Sequence, residues 1–278
     1  MEIRFITSVR EYAKKVESLL LHKEACNNLM LGLIDRILKN RSDCHLGLVE
    51  NDKGAIYAFM QTPPHNWILA DVENVDKSVV QEIVRFLNNT DMDIPGVLGP
   101  DLYASYFVKE WKAITGKKAN IHMNELIYQL DEVKITPISG GMLVPATEKQ
   151  YNLLVKWLIC FGQEANEDIT KSYAETLARS FIKNQSAYLW KKNGRFVSMA
   201  NRSRTTKHGA TINAVYTPDA YKRNGYATDL VASLSTQFLE EGYQFCSLYT
   251  DKSNSTSNHI YQMIGYYEVG SSTVYSME

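Results

Sequence analysis

The sequence predicts an α/β protein of the α+β type: two tandem domains, each a mixed, mostly antiparallel sheet flanked by helices. Three observations predict it. The two halves of the 278-residue chain run through nearly the same order of strand-like and helix-like segments. In each half, antiparallel strands give way to a helix–strand–helix crossover, which makes a sheet mixed. Between the halves lies Asp131 to Gly141, whose Pro137 and Gly140-Gly141 pair separate two strand-like runs. The expected domains are therefore 1–133 and 140–278.

The first half opens with a strand at Ile3–Ile6, two helices within Val9–Leu38, and strands at His45–Glu50 and Ala55–Gln61. A strand at Trp67–Val72, a helix at Ser78–Asn89, a short strand at Val97–Leu98, a helix at Leu102–Ile114 and a closing strand at Ile121–Leu130 follow. The second half repeats the order. A short strand at Met142–Pro145 precedes helices across Lys149–Phe161 and Ile169–Asn184, then strands at Ala187–Lys191, Arg195–Asn201 and Ala210–Tyr216. Lys192-Asn193-Gly194 is a hairpin turn. A helix at Tyr226–Glu241, a strand at Gln244–Thr250, a helix around Asn258 and a last pair of strands from Tyr267 complete the chain.

Chemistry concentrates between Ala214 and Ala227. An apolar run stops at Pro218, passes a basic turn with Lys222 and Arg223, reaches Gly225 and enters a helix near Tyr226. Unpaired N–H groups and a partial positive charge at a helix N-terminus suit phosphate, and the two basic side chains add full charges there. The candidate ligand contacts are Ala214, Val215 and Tyr216 on the strand, Lys222, Arg223, Asn224 and Gly225 on the turn, and Tyr226, Ala227 and Thr228 in the first helical turn. Read without a ligand, Gly225 is a helix-entry turn residue.

Lys222-Arg223-Asn224-Gly225-Tyr226-Ala227 resembles the Arg/Gln-x-x-Gly-x-Gly/Ala signature of the GNAT superfamily, the acetyl-CoA-dependent N-acetyltransferases. Lys222 departs from it, keeping the charge while replacing a planar fork by a point charge. Asn258 and Tyr261, followed by Gly265-Tyr266, resemble the family's second cofactor motif. The likeness covers Met142 to Glu278 well and the first half loosely. It implies two GNAT-like domains, with acetyl-CoA bound by the second: backbone amides around Gly225 on the pyrophosphate, a splayed strand at Ala214–Tyr216 on the pantetheine and acyl group, Asn258 on the pantetheine arm and Tyr261 at the sulfur. It also implies direct acetyl transfer to a primary amine of a small acceptor, with Tyr261 as proton donor and the amine's proton taken by a water chain or by a carboxylate of the Gln163–Asp168 loop, whose three are Glu164, the candidate named for catalysis, Glu167 and Asp168. The plainer readings are a packed tyrosine for Tyr261, and a solvated interhelix loop whose Asp168 caps the next helix. His259 reads as an exposed helix residue. A non-catalytic acyl-CoA binding or sensing module is the alternative function.

At the equivalent turn of the first half stands Asp71-Val72-Glu73-Asn74-Val75-Asp76-Lys77. It has no glycine, and three carboxylates occupy the place of the phosphate, so the first domain is expected to be a degenerate copy without cofactor. A formal charge of −1 gives no basic excess to attract nucleic acid or an anionic membrane. No run approaches the ~18 apolar residues of a membrane span, and Met1–Phe5 is no signal peptide. Cys26, Cys44, Cys160 and Cys246 are scattered without metal-ligand spacing and read as free thiols of a cytoplasmic protein, with no metal expected. The P-loop pattern and the dinucleotide glycine pattern are both missing. Oligomeric state and acceptor identity are left open.

Overall fold

In the computed structural model, which describes residues 1–40 and 42–278, the chain forms two units, Met1–Ile127 with Val269–Glu278, and Tyr128–Glu268. The first begins with β1 (Glu2–Phe5), α1 (Val9–Leu21), α2 (Asn28–Asn40), β2 (His45–Asn51), β3 (Gly54–Gln61) and β4 (Trp67–Leu69). It continues through α3 (Lys77–Asn88), β5 (Gly96–Gly99), α4 (Asp101–Thr115) and β6 (Ala119–Leu130). The pairs β1–β2, β2–β3 and β3–β4 are antiparallel, and β4–β5, joined through α3, is parallel. α1 starts where Ser8 accepts from the Glu11 N–H and buries Tyr12, Val16 and Leu20, one stripe at helical spacing. Those residues join Tyr57, Phe59, Trp67 and Phe107 in the core. Tyr12 keeps its buried hydroxyl satisfied by donating to the Phe59 carbonyl at 3.1 Å.

The second unit contains β7 (Met142–Pro145), α5 (Tyr151–Ala165), α6 (Lys171–Lys183), β8 (Ala187–Lys192), β9 (Arg195–Thr205), β10 (Gly209–Tyr216), α7 (Tyr226–Glu240), β11 (Phe245–Asp251) and α8 (Ser255–Ile264). The sheet runs β7-β8-β9-β10-β11, antiparallel until the parallel β10–β11 pair, which is joined through α7. α5 and α6 cover one face, burying Leu154, Trp157 and Leu158 with Ala174, Ala178 and Ile182 against Leu189 and Met199. α6 is capped by Thr170, which accepts from the Tyr173 N–H, so Asp168 is not the cap expected from the sequence.

The end of the chain also departs from the sequence reading. In place of two short strands there is one, β12 (Tyr267–Met277), and from Val269 onward it belongs to the first unit. There it pairs antiparallel with β5 and lies beside β6. Asp101, the first residue of α4, fixes it by accepting from Ser271 Oγ and Thr273 Oγ1, each at 2.8 Å. Conversely Tyr128–Leu130 goes with the second unit. The Pro- and Gly-containing boundary segment is held rather than free. Ile138 and Ser139 N–H groups donate to the buried Asp229 carboxylate of α7 at 3.0 and 2.6 Å, and Trp190 Nε1 donates to Ser139 Oγ.

Candidate functional site

β10 and β11 carry the site because they stop pairing before they end. Their parallel register runs from Gly209↔Phe245 to Ile212↔Leu248, while β10 continues to Tyr216 and β11 to Asp251. On its other side β10 is irregular, with its register to β9 shifting between Asn213 and Tyr216. Ala214 lies there at φ 49°, a backbone region costly for a residue with a Cβ. Ala214, Val215 and Tyr216 thus lie on a bulged strand end beyond the last β11 pair.

The following turn leads into an open helix terminus. A single 3₁₀ turn at Asp219–Tyr221 precedes Lys222, then Arg223 at φ 63° and Gly225 at φ 75° bend the chain into α7. Positive φ at both positions brings the chain round to the N-terminus of α7, where unpaired N–H groups favour anions. Gly225 is the N-cap and offers no side-chain bond, and the first N–H within the helix's own ladder is that of Asp229, donating to Gly225 at 3.0 Å. The N–H groups of Tyr226, Ala227 and Thr228 precede that bond. A Cβ built on Gly225 would meet nothing within 4 Å, so the space before the terminus is open. Asn224 stitches the turn, its Nδ2 donating to the Tyr221 and Lys222 carbonyls.

Lys222 has a different set of neighbours from the one its place in the signature suggests. Its Nζ lies 2.7 Å from Asp219 Oδ1 and 2.7 Å from Glu164 Oε1. Hydrogen bonds to Asp219 and then Glu164 raise its pKa above the ordinary lysine value. Two candidates drawn separately from the sequence, Glu164 and Lys222, are therefore each other's partners, tying the end of α5 to the turn. All these groups are partly exposed, where such pairs contribute little to stability.

Tyr261 is buried on α8, its ring centroid 6.0 Å from that of Tyr266 and 6.4 Å from that of Tyr128. Burial pushes its phenol up to about 12, and no hydrogen bond to its hydroxyl is present among the described residues. Asn258, one helical turn earlier, donates through Nδ2 to the Asp251 and Lys252 carbonyls at 3.3 Å. Its Oδ1 is buried and unpaired. An orphaned acceptor of this kind is uncommon and fits an amide N–H of a bound molecule.

Two features escaped the sequence reading. Tyr216 is buried against Trp157, and its hydroxyl pKa is raised by burial and by a hydrogen bond with Cys160 of α5. A line of polar side chains also crosses the sheet. Ser186 Oγ donates to Asn201 Oδ1 at 2.7 Å, and Asn201 Nδ2 donates to Asn213 Oδ1 at 2.9 Å. Cys160 and Tyr216 share no sequence spacing that marks a contact. The asparagines were detectable only as polar residues in strands otherwise rich in apolar ones.

Residues 193–275 match the family model described as FR47-like protein. No protein of curated function matches the sequence significantly. Among solved structures, an acetyltransferase of the GNAT family from Colwellia psychrerythraea is 11% identical, with a TM-score of 0.63 over 100% of this chain and 99% of that one. A Drosophila protein is 11% identical with a TM-score of 0.71, covering 99% of this chain and 98% of that one. A tandem GNAT protein from the clavulanic acid biosynthesis pathway is 12% identical with a TM-score of 0.57, covering 100% and 98%. The likeness at these identities is one of fold: this chain has the fold of the GNAT acetyltransferases.

Proposed function

We propose that the protein is an N-acetyltransferase that moves an acetyl group from acetyl-CoA directly to a primary amine of a small-molecule acceptor, using the second unit. The observation that carries this reading is the parting of β10 from β11 immediately before an uncapped helix N-terminus. Neither feature stabilises the free protein; together they suit one ligand with a peptide-like arm and a pyrophosphate.

The residues fit that ligand along its length. Backbone N–H groups from Arg223 to Thr228 face the pyrophosphate, each bond to a charged oxygen contributing roughly 1.5–3 kcal/mol. Asn258 Oδ1 accepts from the pantetheine arm, and the free edge of Ala214–Tyr216 pairs with it as a strand would. Acetyl-CoA, when bound, supplies an activated acyl carbon and a thiolate leaving group. A main-chain N–H near Val215 or Tyr216 then serves as the donor to the developing oxyanion.

Proton traffic is set by the side chains. An alkyl ammonium of pKa ~10.4 must lose a proton, which costs about 4–5 kcal/mol at neutral pH. Glu164 is engaged by Lys222, so we assign that proton to solvent water, with Glu164 holding the α5 end in place. As the amine nitrogen bonds the acyl carbon and the carbon–sulfur bond breaks, Tyr261 faces the sulfur. A phenol at about 12 does not pass its proton fully to a thiolate whose acid has a pKa near ~8.5. Its role is to donate a hydrogen bond to the leaving sulfur. No acetyl-cysteine is formed: burial pushes Cys246 up to about 12, and Cys160 is hydrogen-bonded to Tyr216.

The test is calorimetry with CoA, followed by thiol release from acetyl-CoA across a panel of primary amines. CoA binding without amine-dependent thiol release would identify a binding or sensing module instead. Absence of CoA binding would remove the reading altogether.

A further inference from the structure

We infer that Asn213 is a specificity-determining residue of this site, selecting amines that carry a hydrogen-bond-accepting oxygen near the nitrogen. The inference rests on the acetyltransferase reading and adds the class of acceptor. Asn213 pairs across the sheet with Asn201, and Asn201 with Ala187, so all three lie on one face. Ala187 belongs to the core beneath α5 and α6, together with Met199 and Tyr216. Asn213 thus lies on the α5–α6 side, next to the bulge at Ala214, and is the first residue after the last β11 pair at Ile212. Unlike its apolar neighbours it is exposed.

What Asn213 presents is decided by the side chains behind it. Ser186 and Asn201 are buried, at 7% and 3% exposure, and form a chain of hydrogen bonds that ends on Asn213. Ser186 Oγ has two acceptors, Asn201 Oδ1 at 2.7 Å and the Phe181 carbonyl at 3.4 Å, and donates to the nearer, the Asn201 oxygen. Asn201 then turns its NH₂ to Asn213, whose oxygen accepts it through one of its two lone pairs. The group left exposed is the Asn213 NH₂, a pure donor. A donor held by a buried chain loses little freedom on binding and repels an ammonium. It selects a carbonyl, carboxylate or hydroxyl oxygen on the acceptor. A plain alkylamine leaves it unused.

The experiment compares glycinamide with propylamine as acceptors for the full-length protein. With rates referred to the concentration of free amine, since glycinamide is the weaker base, the expected result is a wild-type preference for glycinamide, and a fall of about tenfold in its kcat/KM in Asn213→Ala, the worth of one hydrogen bond. Propylamine kcat/KM should change less than about twofold, with CoA affinity unchanged. Asn213→Asp, which accepts from Asn201 and presents no donor, should lose the preference as fully. Equal losses for both amines, no wild-type preference, or a stronger preference in Asn213→Asp would overturn the inference while leaving CoA binding and thiol release standing. Failure of the wild-type protein to bind CoA would remove the acetyltransferase reading and this inference with it.

Discussion

After β4 and after β10 the chain does the same thing twice: it leaves a strand, turns, and enters a helix that returns to a parallel neighbour. In the first unit its own side chains fill the turn. Asp76 caps α3 by accepting from the Ser78 N–H at 2.8 Å. Asn27 bonds both main-chain groups of Asp71, accepting its N–H at 2.8 Å and donating to its carbonyl at 2.9 Å, as a neighbouring strand would. Lys23 neutralises the Asp71 carboxylate at 2.8 Å, and Tyr103 donates to the Val72 carbonyl. In the second unit the corresponding groups are left over, since Gly225 brings no cap and β10 beyond Ile212 has no β11 partner. The lesson is about satisfaction of polar groups. A fold with a built-in gap between strands either closes it with side chains, gaining stability, or keeps it for a ligand.

The largest expected effect tests the open end. Gly225→Asp places a carboxylate before the helix terminus at a φ of 75°, where any side chain is strained. CoA affinity measured by calorimetry should fall by at least about 100-fold, from repulsion of a phosphate and loss of the turn. Retained affinity would break the comparison at its root. Soaked crystals should likewise show CoA density at the second turn and none at Asp71–Lys77, where carboxylates already occupy the place.

A smaller loss is expected at Tyr261. Tyr261→Phe should lower kcat by roughly 10- to 100-fold with CoA affinity nearly intact, because the hydrogen bond to sulfur forms as the bond breaks. With its phenol at about 12, Tyr261 stays protonated through the working range. The rate should therefore rise with pH as the acceptor amine is deprotonated, and fall only as pH nears 12. An equal loss of affinity and rate would make Tyr261 a packing residue.

Glu164→Gln comes next. If Glu164 steadies α5 against Lys222, activity should fall only about two- to fivefold, and Lys222→Gln should add little to it, because both changes remove one contact. A loss above 100-fold in Glu164→Gln, with Lys222→Gln near wild type, would make Glu164 the base.

The smallest effect belongs to the closed turn. Hydrogen bonds from Ser78 hold the Asp76 carboxyl below the usual range. A group whose pKa is depressed by folding contributes stability above its unfolded pKa, and that contribution disappears as pH falls through its folded value. Asp76→Ala should thus lower the melting temperature by a few degrees at neutral pH, and by progressively less as the pH falls through the lowered folded value. The same loss across that range would deny the charged cap.

Local chemistry made much of this legible in advance. Lys192-Asn193-Gly194 is the turn between β8 and β9, and the Pro218–Gly225 stretch does separate a strand from a helix. Both depend on residues adjacent in sequence, whose backbone preferences need no distant partner. Absence of a glycine between Asp71 and Lys77 likewise distinguishes the two turns from local sequence alone.

Other properties required contacts between residues far apart. Residues of β12 read as the end of the second half, but Asp101 bonds Ser271 and Thr273 across about 170 positions and draws the strand into the first unit. Trp67 begins a run that stays β-prone to Val72, yet the strand ends at Leu69 because Asn27 takes over the backbone of Asp71. Glu164 and Lys222 each had a role of their own until the fold paired them. The parting of β10 from β11 and the orientation of the Asn213 amide are likewise tertiary. The sequence by itself determined where the strands, helices and turns broadly fall, though not where every strand ends, because short-range sterics and periodicity govern the first and distant partners the second. Which polar groups remain unpaired, and are therefore free for a ligand, only the tertiary structure decided, since each depends on whether a partner from elsewhere arrives.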